Sequence, residues 1–276
     1  MNFLALIIAL LVRQSRGVPA TLDRSTPWWR WLAWCRRQVS GEVLQLLMAV
    51  ALPALLLAWL LAAIDTLLFG LPWLALATWL LLFSFGRGDF QADLRRYRDL
   101  CAEGNAEGAW LHAQAAFNAR GDLPAEDFVA LQWEVEKRLC YEGYQRWFAV
   151  VFWFLLLGPA GGLAYRLLQW FGREVESDTT RRARYLLDWV PVQLLALAFA
   201  LAGDFVRSRA PLTEGLLSPR LDHAAWLGEL ALAAAGQGPA PRAGAEAALR
   251  VDALSDLLSR SKVAWLAVVA LLTILA

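Results

Sequence analysis

The sequence predicts an all-α, polytopic transmembrane protein with cytoplasmic helical segments, and three observations carry that prediction. Hydrophobic residues make up 59% of the 276 positions and charged ones only 18%, with a mean hydropathy of +0.44, beyond the range of an ordinary soluble domain. Apolar runs near the length of a membrane span recur along the chain. No segment alternates apolar and polar residues with the period of a strand.

The opening run, Asn2 to Val12, covers roughly 17 Å as a helix against a hydrocarbon core of about 30 Å. No basic residue precedes it and no small-x-small cleavage site follows, so it reads as a retained, tilted or peripheral helix and not as a cleaved signal. PWWRWLAWCRRQ, residues 27 to 38, follows. Trp28, Leu32, Cys35 and Val39 recur at helical spacing, while Arg30 and Arg37 share another face. This pattern fits a helix in the headgroup layer with its indoles at the interface, or a lead-in that only orients the chain. Val43 to Ile64 and Leu67 to Phe85 then read as a transmembrane hairpin around Asp65 and Gly70-Leu71-Pro72. Residues 1–85 form the N-terminal membrane region.

Residues 86–146 form a cytoplasmic helical segment. Its first part alternates charged and apolar residues at helical period, interrupted at Gly104 and Gly108, with a turn at Gly121-Asp122-Leu123-Pro124. From Ala125 to Trp147 one continuous helix is expected: Phe128, Leu131, Val135 and Leu139 form a stripe, with Trp133, Cys140 and Trp147 beside it. Glu134 and Glu136, two apart, cannot share a helix face and make a poor acid/base pair. Glu134 with Arg138 is expected as a surface ion pair.

Residues 147–203 form a broken transmembrane helix pair. WFAVVFWFLLLGPAGGLAYRLLQWF, residues 147 to 171, is apolar enough to span but holds Gly158, Pro159, Gly161 and Gly162 at its centre and Arg166 after them. Lipid cannot satisfy backbone groups freed by such a break, so it belongs against protein or a water-filled cavity. A kink packed on a neighbouring helix satisfies that requirement, and so does a broken helix that builds a site. The partner run, Tyr185 to Gly203, carries Asp188 and Pro191. If the two runs are antiparallel, Arg166 and Asp188 lie at similar depth. They then either pair with each other or, with Tyr165 and Trp153, line a pocket for an anionic or aromatic ligand. Residues 204–262 offer two amphipathic pieces joined by GQGPAPRAG, and residues 263–276 a C-terminal apolar helix of about 21 Å.

Basic residues set topology. Six Lys and Arg lie in 13–42, eight in 86–146 and seven in 204–262, which puts the large loops in the cytoplasm. Arg173, Arg181, Arg182 and Arg184 in the connector 172–184 contradict an external connector. A re-entrant pair that never reaches the far side removes the conflict.

The net charge of +1 gives no reason to expect a nucleic-acid partner. Cys35, Cys101 and Cys140 lack paired spacing, and His112 and His223 lack HExxH, so no metal and no cofactor is expected. Phosphate-loop, nucleophile-elbow and dinucleotide signatures are absent, which weighs against an enzyme.

WFAVVFWFLLLGPAGGLAYRL, followed by RRARYLLDWVPVQLLALAFALAGDF, with the N-terminal hairpin and the cytoplasmic middle, resembles the AmpE family. The resemblance is collinear over the chain, and its specific part lies in residues 147 to 205. It implies an inner-membrane regulatory protein that modulates β-lactamase induction in connection with cell-wall recycling, with the lipid bilayer around it. The AmpD amidase pathway, or a cell-wall-derived ligand, is the implied partner. More distantly, Phe152-Trp153, Gly158 to Gly162, Tyr165-Arg166 and Leu187-Asp188-Trp189-Val190-Pro191 resemble the CbiB/CobD synthases of cobalamin biosynthesis. That similarity implies an amide-forming membrane enzyme, or a transporter, binding an amphipathic anion near Arg166. The chain departs from the synthase pattern at Cys140 to Arg146 and at Leu167-Leu168-Gln169-Trp170, where polar groups of that family are missing. Corrinoid synthesis is therefore not expected.

Overall fold

The computed structural model describes residues 1–16, 26–65, 67–85, 89–119, 128–218, 222–238 and 244–275. Among these residues every regular element is helical. Four helices are long and apolar enough to cross a membrane: Glu42–Ile64, Ala130–Glu174, Asp178–Ala202 and Ala245–Leu275. The protein is an all-α helical membrane protein.

Two compact units divide the chain, one of residues 1–88 and 146–189, the other of 89–145 and 190–276. In the first unit, α1 (Asn2–Arg16) packs on α5 (Leu71–Ser84), and α5 and α4 (Leu52–Ile64) pack on α9 (Ala149–Glu174). The stretch from Glu42 to Ile64 is one continuous helix, with a π turn at Leu47–Ala51. The expected second limb of the hairpin is shorter than its apolar run. Leu67–Gly70 is a 3-10 turn and the α-helix begins only at Leu71 with Pro72 in its first turn, where a missing amide costs nothing.

α2 (Thr26–Gln38) buries the face the spacing predicted. Trp28, Leu32 and Cys35 are buried against Ala49, Leu167, Trp170 and Phe171. Protein, and not lipid, therefore covers the Trp28 indole. Trp34 is exposed and stacks on Trp31 at 5.0 Å.

In the second unit, α6 (Phe90–Ala102) and α7 (Ala106–Phe117) pack together. Gly104, with φ +72°, marks the break between them. Gly108 does not interrupt anything: its amide is capped by the Asn105 side chain at 2.8 Å, and α7 runs through it. Against α7 lies α8 (Phe128–Gly143), which a π turn at Tyr144–Phe148 joins to α9. Leu131, Val135 and Leu139 are buried as the stripe required; the Gly121 to Pro124 turn lies outside the described residues. α10 (Asp178–Ala202) is followed by α11 (Phe205–Gly215) and α12 (His223–Ala234), and α12 packs on α8.

The C-terminal apolar run is not a separate helix. No breaker stands between Lys262 and Val263, so α13 (Ala245–Leu275) continues through both for 31 residues. Its first half is buried at Arg250, Leu254 and Leu257, while Val263, Leu271 and Ile274 are exposed.

Candidate functional site

Gly158 has φ +73° and ψ −167°, a conformation essentially confined to glycine. Pro159 follows without an amide to lose, as suits the first residue of a new helix. The two limbs, residues 149–157 and 159–174, then fold against each other. A Cβ built on Gly162 would lie 3.4 Å from the Phe154 Cβ and 3.7 Å from the Val150 carbonyl oxygen. In a straight helix residues 150 and 162 would be about 18 Å apart. On Gly161 the same atom would lie 2.5 Å from the Trp153 carbonyl oxygen. The glycines thus serve both roles their position suggested: Gly158 turns the chain, and Gly161 and Gly162 permit backbone approach. Leu156 and Leu157 at the tip are exposed.

The returning limb carries the polar groups. Tyr165, Arg166 and Gln169 are all buried, within a helix otherwise lined by apolar side chains. Tyr165 donates its hydroxyl to Asp188 Oδ1 at 2.7 Å, and Asp188 is itself buried. Arg166 Nη1 donates to Gln169 Oε1 at 3.0 Å, and its guanidinium lies 5.3 Å from the centre of the Trp170 ring. A cation at membrane depth costs at least about 2.5 kcal/mol on insertion scales; the amide oxygen and the ring face offset part of that cost. Trp170 in turn meets Phe83 edge-on at 5.5 Å and Trp28 at 6.1 Å.

Helix α10 runs back beside this limb. A Cβ on Gly172 would lie 2.9 Å from Arg184 Cδ and 3.1 Å from Thr180 Cγ2, and the Tyr165–Asp188 bond repeats the contact further along. The depth match expected for residues 166 and 188 therefore holds through the neighbouring tyrosine. Trp153 stands on the other limb, its carbonyl facing Gly161, about one and a half turns from the level of Arg166. Its indole Nε1 is buried with no hydrogen-bond partner among the described residues. Pro191 sits inside α10 three residues after Asp188, so the Leu187 carbonyl lacks its helical amide.

A second polar centre lies in the other unit, and the sequence pattern did not expose it. Arg250 makes a bidentate pair with Glu136, Nε and Nη2 each 2.7 Å from a carboxylate oxygen. Its Nη1 donates to the Gly238 carbonyl at 2.8 Å. Gln132 donates to Glu136 at 2.9 Å and accepts from the Tyr97 hydroxyl at 2.8 Å. Burial pushes the Tyr97 hydroxyl well above its ordinary value and raises the Cys101 thiol to about 11. Every charge here is matched inside protein, which suits a structural bolt better than a reaction centre. Glu134 behaves as expected, pairing with Arg138 at 3.2 Å and also with Lys137 at 2.8 Å.

Comparison with curated proteins and with solved structures gives no match. A family model described as "Regulatory signalling modulator protein AmpE" matches residues 26–276. That span takes in the folded-back limbs, the Tyr165–Asp188 contact and both long helices after them, and the chain belongs to the AmpE family of regulatory signalling modulator proteins.

Proposed function

We propose that this regulatory membrane protein sits in the bacterial inner membrane and modulates β-lactamase induction in connection with cell-wall recycling. Its sensing element is the fold-back at Gly158, with Tyr165, Arg166, Asp188 and Trp153 receiving an amphipathic anion derived from the cell wall. One observation carries the assignment: a buried arginine, tyrosine and aspartate gathered beside a glycine-only backbone turn, in a helix pair that apolar packing alone would satisfy. Ionisable groups at membrane depth are costly to hold there and point to a functional position. The chemistry is binding and not catalysis, with signalling toward the AmpD pathway.

The same turn supports a cytoplasmic connector between α9 and α10. The apolar part of the helix entering the turn runs from residue 147 to 157, about 16 Å, roughly half the hydrocarbon core. A re-entrant pair of that depth returns Arg173, Arg181, Arg182 and Arg184 to the side from which it entered, as the positive-inside rule requires.

The test is genetic. A deletion strain is complemented with the wild-type chain, Arg166→Ala or Tyr165→Phe, and β-lactamase activity is measured before and after a β-lactam inducer. Loss of normal induction in the deletion strain and with Arg166→Ala, at unchanged protein level, is the expected result. Induction unaltered by the deletion would end the proposal.

A further inference from the structure

Where α2 meets the end of α9 there is a shallow, open groove of about 320 Å³, walled by Trp29, Leu32, Ala33, Arg36 and Glu174. Arg36 and Glu174 face each other across it. Their side-chain contact is 3.7 Å, and Arg36 Nη2 reaches the Glu174 carbonyl at 3.5 Å. Both distances exceed the 2.7–2.9 Å of a tight charge-assisted bond. In the same chain Arg250 and Glu136 close to 2.7 Å, so the groove pair is loose by the molecule's own standard. The two side chains keep 39% and 47% of their surface, and each retains hydrogen-bonding capacity toward the opening.

The groove also lies where an apolar helix ends. Trp170 and Phe171 are buried, and the next charged residues are Arg173 and Glu174. Trp29, Trp31 and the exposed Trp34 stand on the neighbouring helix. Indoles clustered at the end of an apolar stretch mark the headgroup layer of a bilayer. A site there meets lipid headgroups at high local concentration.

We propose that this groove holds the headgroup of a phospholipid carrying a primary ammonium, of the phosphatidylethanolamine class. Arg36 takes the phosphate, and Glu174 takes the ammonium by donated hydrogen bonds. Trp29 and Leu32 form the apolar wall below. Charge complementarity selects this occupant over the others a membrane offers. A purely anionic headgroup meets Glu174 as a like charge beside Arg36. A choline headgroup is cationic but has no N–H to donate. Free phosphate supplies only half of the match.

Native mass spectrometry of the full chain, released from mixed micelles holding equal amounts of dioleoyl phosphatidylethanolamine, phosphatidylglycerol and phosphatidylcholine, tests the assignment. Retention of phosphatidylethanolamine about tenfold above the other two is expected, the discrimination given by roughly one hydrogen-bonded charge. Glu174→Gln should bring it down to the phosphatidylcholine level, and Arg36→Gln should lower retention of all three lipids. Both positions are exposed, so each variant should melt with the wild type. If Arg36→Gln does not, Arg36→Lys, which keeps the charge and loses the fork, gives the same reading at reduced strength. Equal retention of the three lipids, or a preference that survives Glu174→Gln, overturns the proposal. So does preferential retention of phosphatidylglycerol.

Discussion

Replacing Arg250 by methionine should be among the most damaging single changes in the chain. It leaves the Glu136 carboxylate, none of whose side-chain surface is exposed, with the Gln132 amide at 2.9 Å as the neighbour facing it. Removing one partner of a buried pair costs about 3–5 kcal/mol, because the remaining charge is stranded in a medium that cannot solvate it. For a unit of this size 1 kcal/mol moves the melting temperature by about 2–4 °C, so the expected loss is roughly 6–20 °C. Circular dichroism at 222 nm on the purified full chain in detergent reads this directly. Glu136→Leu alone should cost a similar amount by stranding the guanidinium. The double variant, Glu136→Leu with Arg250→Met, removes both charges and should recover at least half of either loss. Recovery will be incomplete because the Gln132 amide loses its acceptor, a cost of about 1–3 kcal/mol. Asp252→Asn serves as the control: its pair with Arg98 at 3.1 Å is on the surface, with side chains 43% and 47% exposed, and its loss should leave the melting temperature nearly unchanged. Single changes at Glu136 and Arg250 that matched this control would refute the reasoning. A double variant no better than the worse single would do the same.

Two further outcomes follow from geometry already described. Gly158→Ala meets no atom within 4 Å, so its effect is purely conformational: about 1–3 kcal/mol from holding a side-chain residue at φ +73°, ψ −167°. Cysteine pairs placed on the two limbs, cross-linked in the wild type and not in the variant, would report the loosened turn; unchanged cross-linking would exclude that role. Cys101 should resist maleimide at pH 8 until the protein unfolds, since burial raises its thiol from 9.0 to about 11. Above pH 9 the unfolded chain gives up this proton and the folded chain keeps it, so stability should fall as pH rises from about 9 to 11. Cys101→Ala should remove that part of the slope, and an unaltered slope would count against the assignment.

The helical class was legible because it rests on composition and long apolar runs, both of which are local. So was the interruption: Pro159 frees a backbone acceptor and disfavours the helical conformation at Gly158 before it. The direction of the break was not legible. It depends on one positive φ and on Val150 and Trp153 meeting Gly162 and Gly161 across the turn, which are tertiary facts. Arg166 and Asp188 were placed at similar depth by treating the two runs as antiparallel, and the structure joins Asp188 to the neighbouring Tyr165. The burial of Glu136 left no trace in sequence spacing, since its partner lies 114 residues away. In WEVEKR, Glu134 pairs with Lys137 and Arg138 at the partly exposed edge, while Glu136 two residues on is fully buried. The amphipathic face of α2 was readable, but what would cover Trp28 was not, because Trp170 reaches it only through the fold.

The separation of Glu136 from Arg250 also has a consequence in time. A ribosome adding about 5–20 residues per second needs roughly 6–23 s to travel those 114 positions. Throughout that interval the α8 carboxylate has no arginine to receive it, and the unit that will enclose it cannot close. When Arg250 does emerge, it arrives on the helix whose second half is apolar enough to enter the membrane. Closure of the charged pair and insertion of this span are thus written into one rigid element, so the unit around Glu136 packs in the same step in which α13 enters the membrane.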